Sequence, residues 1–121
     1  MRIYVAGPMT GLPALNFPAF HAEAARLRAL GHEAINPAEI NTDPNAEWHA
    51  CMRADIAALV TCDAIQLLPG WRKSRGAMLE HDIAVRLGLD VFDPHHPLTE
   101  PAAATPLQRG PCLPQPTADI A

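Results

Sequence analysis

Ser74, Gly76 and Glu80 stand in the run SRGAMLE, the glycine and the carboxylate four residues apart. On a helix that spacing puts both on one face, a bare stretch of backbone above an acid. A ligand approaching Gly76 would touch Glu80, whose ionised form is expected to be favoured by its place near a helix start. Ser74 suits the N-cap. Its hydroxyl, the free amides of the first turn and the cations Arg72, Lys73 and Arg75 would suit a phosphate. One helix start would then hold a phosphate and present a carboxylate to the sugar bearing it. The same residues also fit a solvated cap in which Glu80 pairs with a neighbour such as His81.

Asp55, between Ala54 and Ile56, is the second candidate carboxylate, although an aspartate in mid-helix commonly faces solvent. Asp63 reads as a cap or turn residue rather than a catalytic one. Tyr4, the single tyrosine, offers either a hydroxyl near a ligand or core packing with one hydrogen bond. Gly7 and Met9 follow it in a loop where Met9 would give a soft wall for a flat base or simply fill a gap. Trp71, beside the phosphate-like loop, would stack on a base or anchor a neighbouring subunit. The six histidines form no HExxH or other ligand-grade set, so no metal is expected. The absence of GxGxxG and GxxxxGK[ST] removes the main dinucleotide and P-loop signatures, and no cofactor is expected.

The elements that must position these residues alternate. Residues 2–6 read as a buried strand ended by Gly7-Pro8. Asn16 is placed to cap a helix with Phe17, Phe20, Ala24, Leu27 and Leu30 at helical spacing and Gly31 as its stop. Residues 32–36 form a second strand, and 37–44 a loop whose Asp43-Pro44 pair starts a helix striped by Trp48, Met52, Ile56 and Leu59. Residues 63–68 are a third strand, 75–87 a third helix stopped by Gly88, and 89–92 a fourth strand. Such β-α alternation predicts an α/β fold, a doubly wound parallel sheet of four or five strands in three α/β/α layers. Ligands bind such sheets beyond the carboxyl ends of the strands at the topological switch. The loops after the first and third strands therefore meet there, bringing Gly7 and Met9 to Ser74, Arg75 and Gly76.

A chain of 121 residues that is 49% hydrophobic can build one core, and residues 1–92 carry it. Residues 93–121 hold seven of the 13 prolines and little apolar periodicity, and read as a loose Pro-rich tail. Nine basic against 13 acidic side chains leave a charge of −4, so polymeric nucleic acid is not an expected partner. The apolar runs are far shorter than the ~20 residues that span a bilayer, and no secretory signal precedes the first strand. No membrane partner and a cytoplasmic location are expected. Cys51, Cys62 and Cys112 suggest neither a disulfide framework nor zinc, and read as buried thiols.

Three blocks in order, Tyr4-Val5-Ala6-Gly7-Pro8-Met9-Thr10-Gly11, Asp55-Ile56-Ala57-Ala58-Leu59 leading to Cys62-Asp63-Ala64-Ile65, and Ser74-Arg75-Gly76-Ala77-Met78-Leu79-Glu80 with Ala84 and Leu87-Gly88, resemble the nucleoside 2-deoxyribosyltransferase superfamily. The likeness is to its small phage-associated branch, catalogued as a domain of unknown function, and covers residues 1–92. The resemblance implies a flavodoxin-like fold and cleavage of an N-glycosidic bond, with a small nucleoside or nucleotide as partner. It implies that Glu80 attacks the anomeric carbon, that Asp55 contacts or protonates the departing base and that Tyr4 orients the nucleophile. It also implies a homo-oligomer, a dimer or larger. Transferases of free nucleosides commonly carry an aspartate six residues before the nucleophile, whereas this chain has Ser74, as the 5′-monophosphate hydrolases do. Pro8 stands where some of those hydrolases have a serine. The resemblance therefore favours hydrolysis of a deoxynucleoside 5′-monophosphate, with base exchange between nucleosides and simple nucleotide binding as the alternatives.

Overall fold

The computed structural model describes residues 1–102. Four short strands, β1 (Arg2–Ala6), β2 (Glu33–Ile35), β3 (Ala64–Leu67) and β4 (Asp90–Phe92), pair in parallel in the order β2-β1-β3-β4. Parallel neighbours require crossovers, and helices supply them. α1 (Phe17–Ala29) joins β1 to β2, α2 (Pro37–Ile40) and α3 (Trp48–Leu59) join β2 to β3, and α4 (Arg75–Arg86) joins β3 to β4.

The period-two alternation of β1 feeds two cores. Ile3 and Val5 pack with Phe20, Ala24 and Leu27 of α1 on one side. Tyr4 and Ala6 pack with Leu59 of α3 and Ala77 and Ala84 of α4 on the other. The result is the three-layer α/β/α arrangement that the alternation of strand and helix signals predicts. The chain order reverses between β1 and β3, and their following loops touch at Gly7. A Cβ there would lie 2.7 Å from Leu68 Cβ, while Leu68 N–H donates to the Ala6 carbonyl at 2.8 Å. Only a glycine permits that approach.

Several local expectations are corrected. Asp43-Pro44 does not start a helix: α3 begins at Trp48 after Glu47, and Asp43 Oδ1 instead closes a turn by accepting from Asn45 N–H at 2.9 Å. The segment 37–44 is not all loop, because Asn36 Oδ1 caps α2 through Ala38 N–H at 3.0 Å and Pro37 opens the turn. Asn16 stands at the start of α1, but with a left-handed backbone (φ 60°), and its side chain donates to the Pro8 carbonyl at 2.9 Å rather than capping the helix.

The loose tail expected from residue 93 is also corrected as far as Ala102. Leu98 is 4% exposed inside the α1 core; its N–H donates to Gln66 Oε1 at 3.0 Å and its carbonyl accepts from Arg26 at 2.6 Å. His32 reaches the Glu100 carbonyl at 2.7 Å, and Ala102 N–H donates to the Leu30 carbonyl at 2.8 Å. One apolar residue and four hydrogen bonds thus tie a proline-rich segment to the domain. The rest of the expected tail, with Cys112, lies outside the described residues.

Candidate active site

The loop after β1, the first turns of α1 and α4, the segment 41–46 and the start of α3 enclose a cavity of about 530 Å³. Two helices aim carboxyl groups at its wall, and β1 backs one of them. α4 buries the face Ala77, Glu80, Ala84, so the small neighbours make room for the carboxyl. α3 buries Met52, Asp55 and Leu59 in the same three-then-four spacing. β1 contributes Tyr4 from its α3/α4 side.

Glu80 is 4% exposed and Asp55 6% exposed, so neither is the surface charge that mid-helix acids usually are. Tyr4, fully buried, donates from its hydroxyl to Glu80 Oε2 at 2.6 Å. Asn41, the residue closing α2, donates through Nδ2 to Asp55 Oδ1 at 2.6 Å. The alternative pairing of Glu80 with His81 is not formed; His81 approaches Asp82 instead, at 3.5 Å.

Electrostatics overturn one expectation. Glu80 was placed near the helix start, where the dipole should favour its ionised form, yet it lies in the second turn, beyond the reach of that effect. Burial dominates and pushes its pKa up to about 8, with the Asp55 charge adding to the rise and the Tyr4 hydrogen bond opposing it. Asp55 is raised to about 6 by burial, opposed by its bond to Asn41. Burial and the two carboxyl groups raise the Tyr4 phenol well above its ordinary value, which keeps it a donor. At neutral pH the three groups hold the Tyr4 proton and, between the carboxyls, mainly the one on Glu80.

Gly7, Met9, Ser74, Arg75 and Gly76 all line the cavity together with Asp55 and Glu80. Ser74 caps α4, its Oγ accepting from Ala77 N–H at 3.1 Å. Gly76 acts differently from the open approach that its missing side chain suggested. A Cβ at Gly76 would lie 3.0 Å from Met52 Sδ and 3.8 Å from Trp48 Nε1, so this glycine lets α3 close against α4. Arg75 rests on the Trp48 ring, 3.7 Å from its centroid, which fixes a cation at the cavity rim.

Trp71 is the correction among the binding candidates. Its ring is in the core against Ala77 and Ala84, stacks on His81 at 4.6 Å between centroids, and does not line the cavity. The 3-10 turn Trp71–Lys73 turns the indole inward and leaves Arg72 and Lys73 exposed, Lys73 at the cavity and Arg72 against the Trp71 ring. The indole at the cavity is Trp48, beside Phe17 and Phe20, and it reads in the sequence as one position of an apolar stripe. Asn41 was hidden in the presumed loop, although the Asn36-Pro37 pair is a helix-start signal that would have placed it. Cys51 is half-buried and lines the cavity, whereas Cys62 is buried as expected. Among the described residues no group of three or more His, Cys, Asp or Glu could hold a metal ion, and no helix is long and apolar enough to cross a membrane.

Residues 1–93 match the family described as a domain of unknown function, DUF4406. The chain belongs to that family. No curated protein matches it in sequence. Among solved structures it is similar to the Clostridium botulinum CMP N-glycosidase BcmB, at 17% identity and a TM-score of 0.54 over 77% of this chain and 67% of that one. It is also similar to the 2-deoxyribosyltransferase of the psychrotolerant bacterium Bacillus psychrosaccharolyticus, at 20% identity and a TM-score of 0.59 over 83% and 77% of the two chains. At these identities the likeness establishes a shared fold, the one that the DUF4406 chain builds around its buried acids.

Proposed function

We propose that the protein cleaves the N-glycosidic bond of a deoxynucleoside 5′-monophosphate, with Glu80 as nucleophile and water as final acceptor. The observation that carries this reading is the pair of buried carboxyls, Asp55 and the Tyr4-held Glu80, on one cavity wall beside the Ser74 helix start. The two carboxyl groups share a proton that rests mainly on Glu80 near neutrality. In the minor arrangement, with Glu80 ionised and the proton on Asp55, they divide the nucleophilic and acid roles that glycoside cleavage needs. Tyr4 holds Oε2 of Glu80, leaving Oε1 to attack the anomeric carbon. As that bond forms, the carbon–nitrogen bond breaks, its electron pair goes to the base, and the proton of Asp55 goes to the departing nitrogen. Water then attacks the same carbon, returning a proton to Asp55 and releasing Glu80.

The phosphate part of the reading is supported by Ser74, Lys73 and the Trp48-seated Arg75, which line the cavity at the N-terminus of α4. A volume of about 530 Å³ lies within the usual range for small-ligand sites, ~300–1,000 Å³. The fold shared with a CMP N-glycosidase and a 2-deoxyribosyltransferase agrees with chemistry at a base–sugar bond.

The test is incubation with a panel of nucleosides and their 5′-monophosphates, followed by chromatography for free base, with and without an added acceptor base. Release from monophosphates without acceptor is expected, and Glu80→Ala should lose at least ~100-fold in rate. Product only when acceptor base is present would replace hydrolysis by transfer. Equal release by wild type and Glu80→Ala would reject Glu80 as nucleophile, and saturable binding without product would leave a nucleotide-binding module.

A further inference from the structure

We propose that Asn41 is the positioning residue of the acid: by occupying Oδ1 of Asp55 it confines the transferable proton to Oδ2. This deepens the glycosidase reading and rests on it for the destination of that proton. The geometry is a donor amide 2.6 Å from a carboxyl oxygen that is itself buried. An amide N–H can only donate, and the carbonyl-type oxygen of a neutral carboxyl accepts better than its hydroxyl oxygen. The short bond to Oδ1 therefore favours the neutral acid with its proton on the other oxygen. A freely rotating carboxyl would divide it between two positions, one of which is no use to a leaving base.

The support for Asn41 is built into the fold. α2 is a single turn held between two asparagines. Asn36, 2% exposed, caps its start through Ala38 and bonds His21 Nδ1 at 3.1 Å, while Asn41 N–H closes the turn on the Pro37 carbonyl at 2.9 Å. Pro37 and Ala38 are buried, and Glu39 is bridged to Arg28 of α1 at 2.9 Å. The segment thus acts as a strut from the α1 layer to the acid on α3. The side chain it delivers also lines the cavity.

The titratable groups around Asp55 come from each packed element. Glu80 lies on α4, Tyr4 on β1 and Cys51 one turn earlier on α3, and Asp43, Lys73 and Arg75 stand further round the cavity. The Asn41 bond lowers the proton affinity of Asp55 against the effect of burial. Its loss must therefore raise that affinity.

The experiment follows the Asp55 carboxyl by ¹³C NMR titration in the full-length wild type, Asn41→Ala and the isosteric Asn41→Asp, without substrate, beside base release against pH. In Asn41→Ala the Asp55 midpoint should rise by about one pH unit, and in Asn41→Asp by more, because a second carboxyl adds repulsion. The acid-side break of the rate profile should move up with it, with KM within about twofold. Should Asn41→Ala fail to fold, Asn41→Asp keeps the shape of the native residue and gives the same reading. An Asp55 titration identical in all three proteins overturns the proposal whatever the activity. A midpoint that moves while even the wild type releases no base supports the Asn41–Asp55 assignment and overturns the glycosidase reading instead.

Discussion

Replacing Tyr4 by phenylalanine tests the proton arrangement most directly. The ring stays in its buried slot between α3 and α4, so packing is retained, and only the 2.6 Å bond to Glu80 Oε2 is lost. A hydrogen bond to a charged acceptor contributes about 1.5–3 kcal/mol, and 1.36 kcal/mol corresponds to one pKa unit, so the Glu80 value should rise by about 1–2 from about 8. The competent arrangement requires Glu80 ionised while Asp55, at about 6, keeps its proton. With the two affinities in this order, it is the minor arrangement between about pH 6 and 8, where the rate should form a plateau. The substitution should reduce kcat at pH 7 by about 10–100-fold and carry the alkaline break upward by about 1–2 pH units. Base release from the best monophosphate substrate, measured from pH 5 to 10, reads both. A break that stays within about 0.3 pH units with a rate within about twofold would refute the role of the hydroxyl in holding the Glu80 anion.

Two further outcomes concern stability. Native Glu80 keeps its proton up to about pH 8, whereas in the unfolded chain it ionises near the ordinary carboxylate value. Its contribution is therefore full below that ordinary value and lost as pH rises through about 8, with Asp55 adding the same trend up to about 6. The unfolding free energy from urea titration should fall from pH 5 to pH 8, by a change on the order of a few kcal/mol, and Glu80→Gln should flatten most of that slope; parallel curves for the two proteins would contradict it. Leu98→Ala removes a side chain 4% exposed in the α1 core and should cost about 2–4 kcal/mol in denaturant unfolding. A change below about 0.5 kcal/mol, the scale of ordinary surface substitutions, would return residues 93–102 to a loose tail.

Periodicity carried much of this protein in the open. Alternating strand and helix signals with glycine stops determine a parallel sheet with helices on both faces, because crossover handedness leaves few other ways to bury the pattern. The same periodicity places Ala77, Glu80 and Ala84 on one face of α4, and Met52, Asp55 and Leu59 on one face of α3. Local spacing is set by backbone geometry alone, so it can be read without neighbours. What the neighbours do cannot be read that way. Whether Trp71 or Trp48 faces the cavity depends on how a 3-10 turn docks, and whether Leu98 is tail or core depends on a hydrogen bond from its N–H to Gln66, 32 residues earlier in the chain. Asn41 meets Asp55 only after α2 is set against α3. The ionisation of Glu80 is the sharpest case: its place on the helix argues for a carboxylate, while the layers closing over it withdraw water and make it an acid with a pKa of about 8. Desolvation is a property of the assembled fold, summed over groups distant in sequence, and the packed α3 and α4 layers decided it.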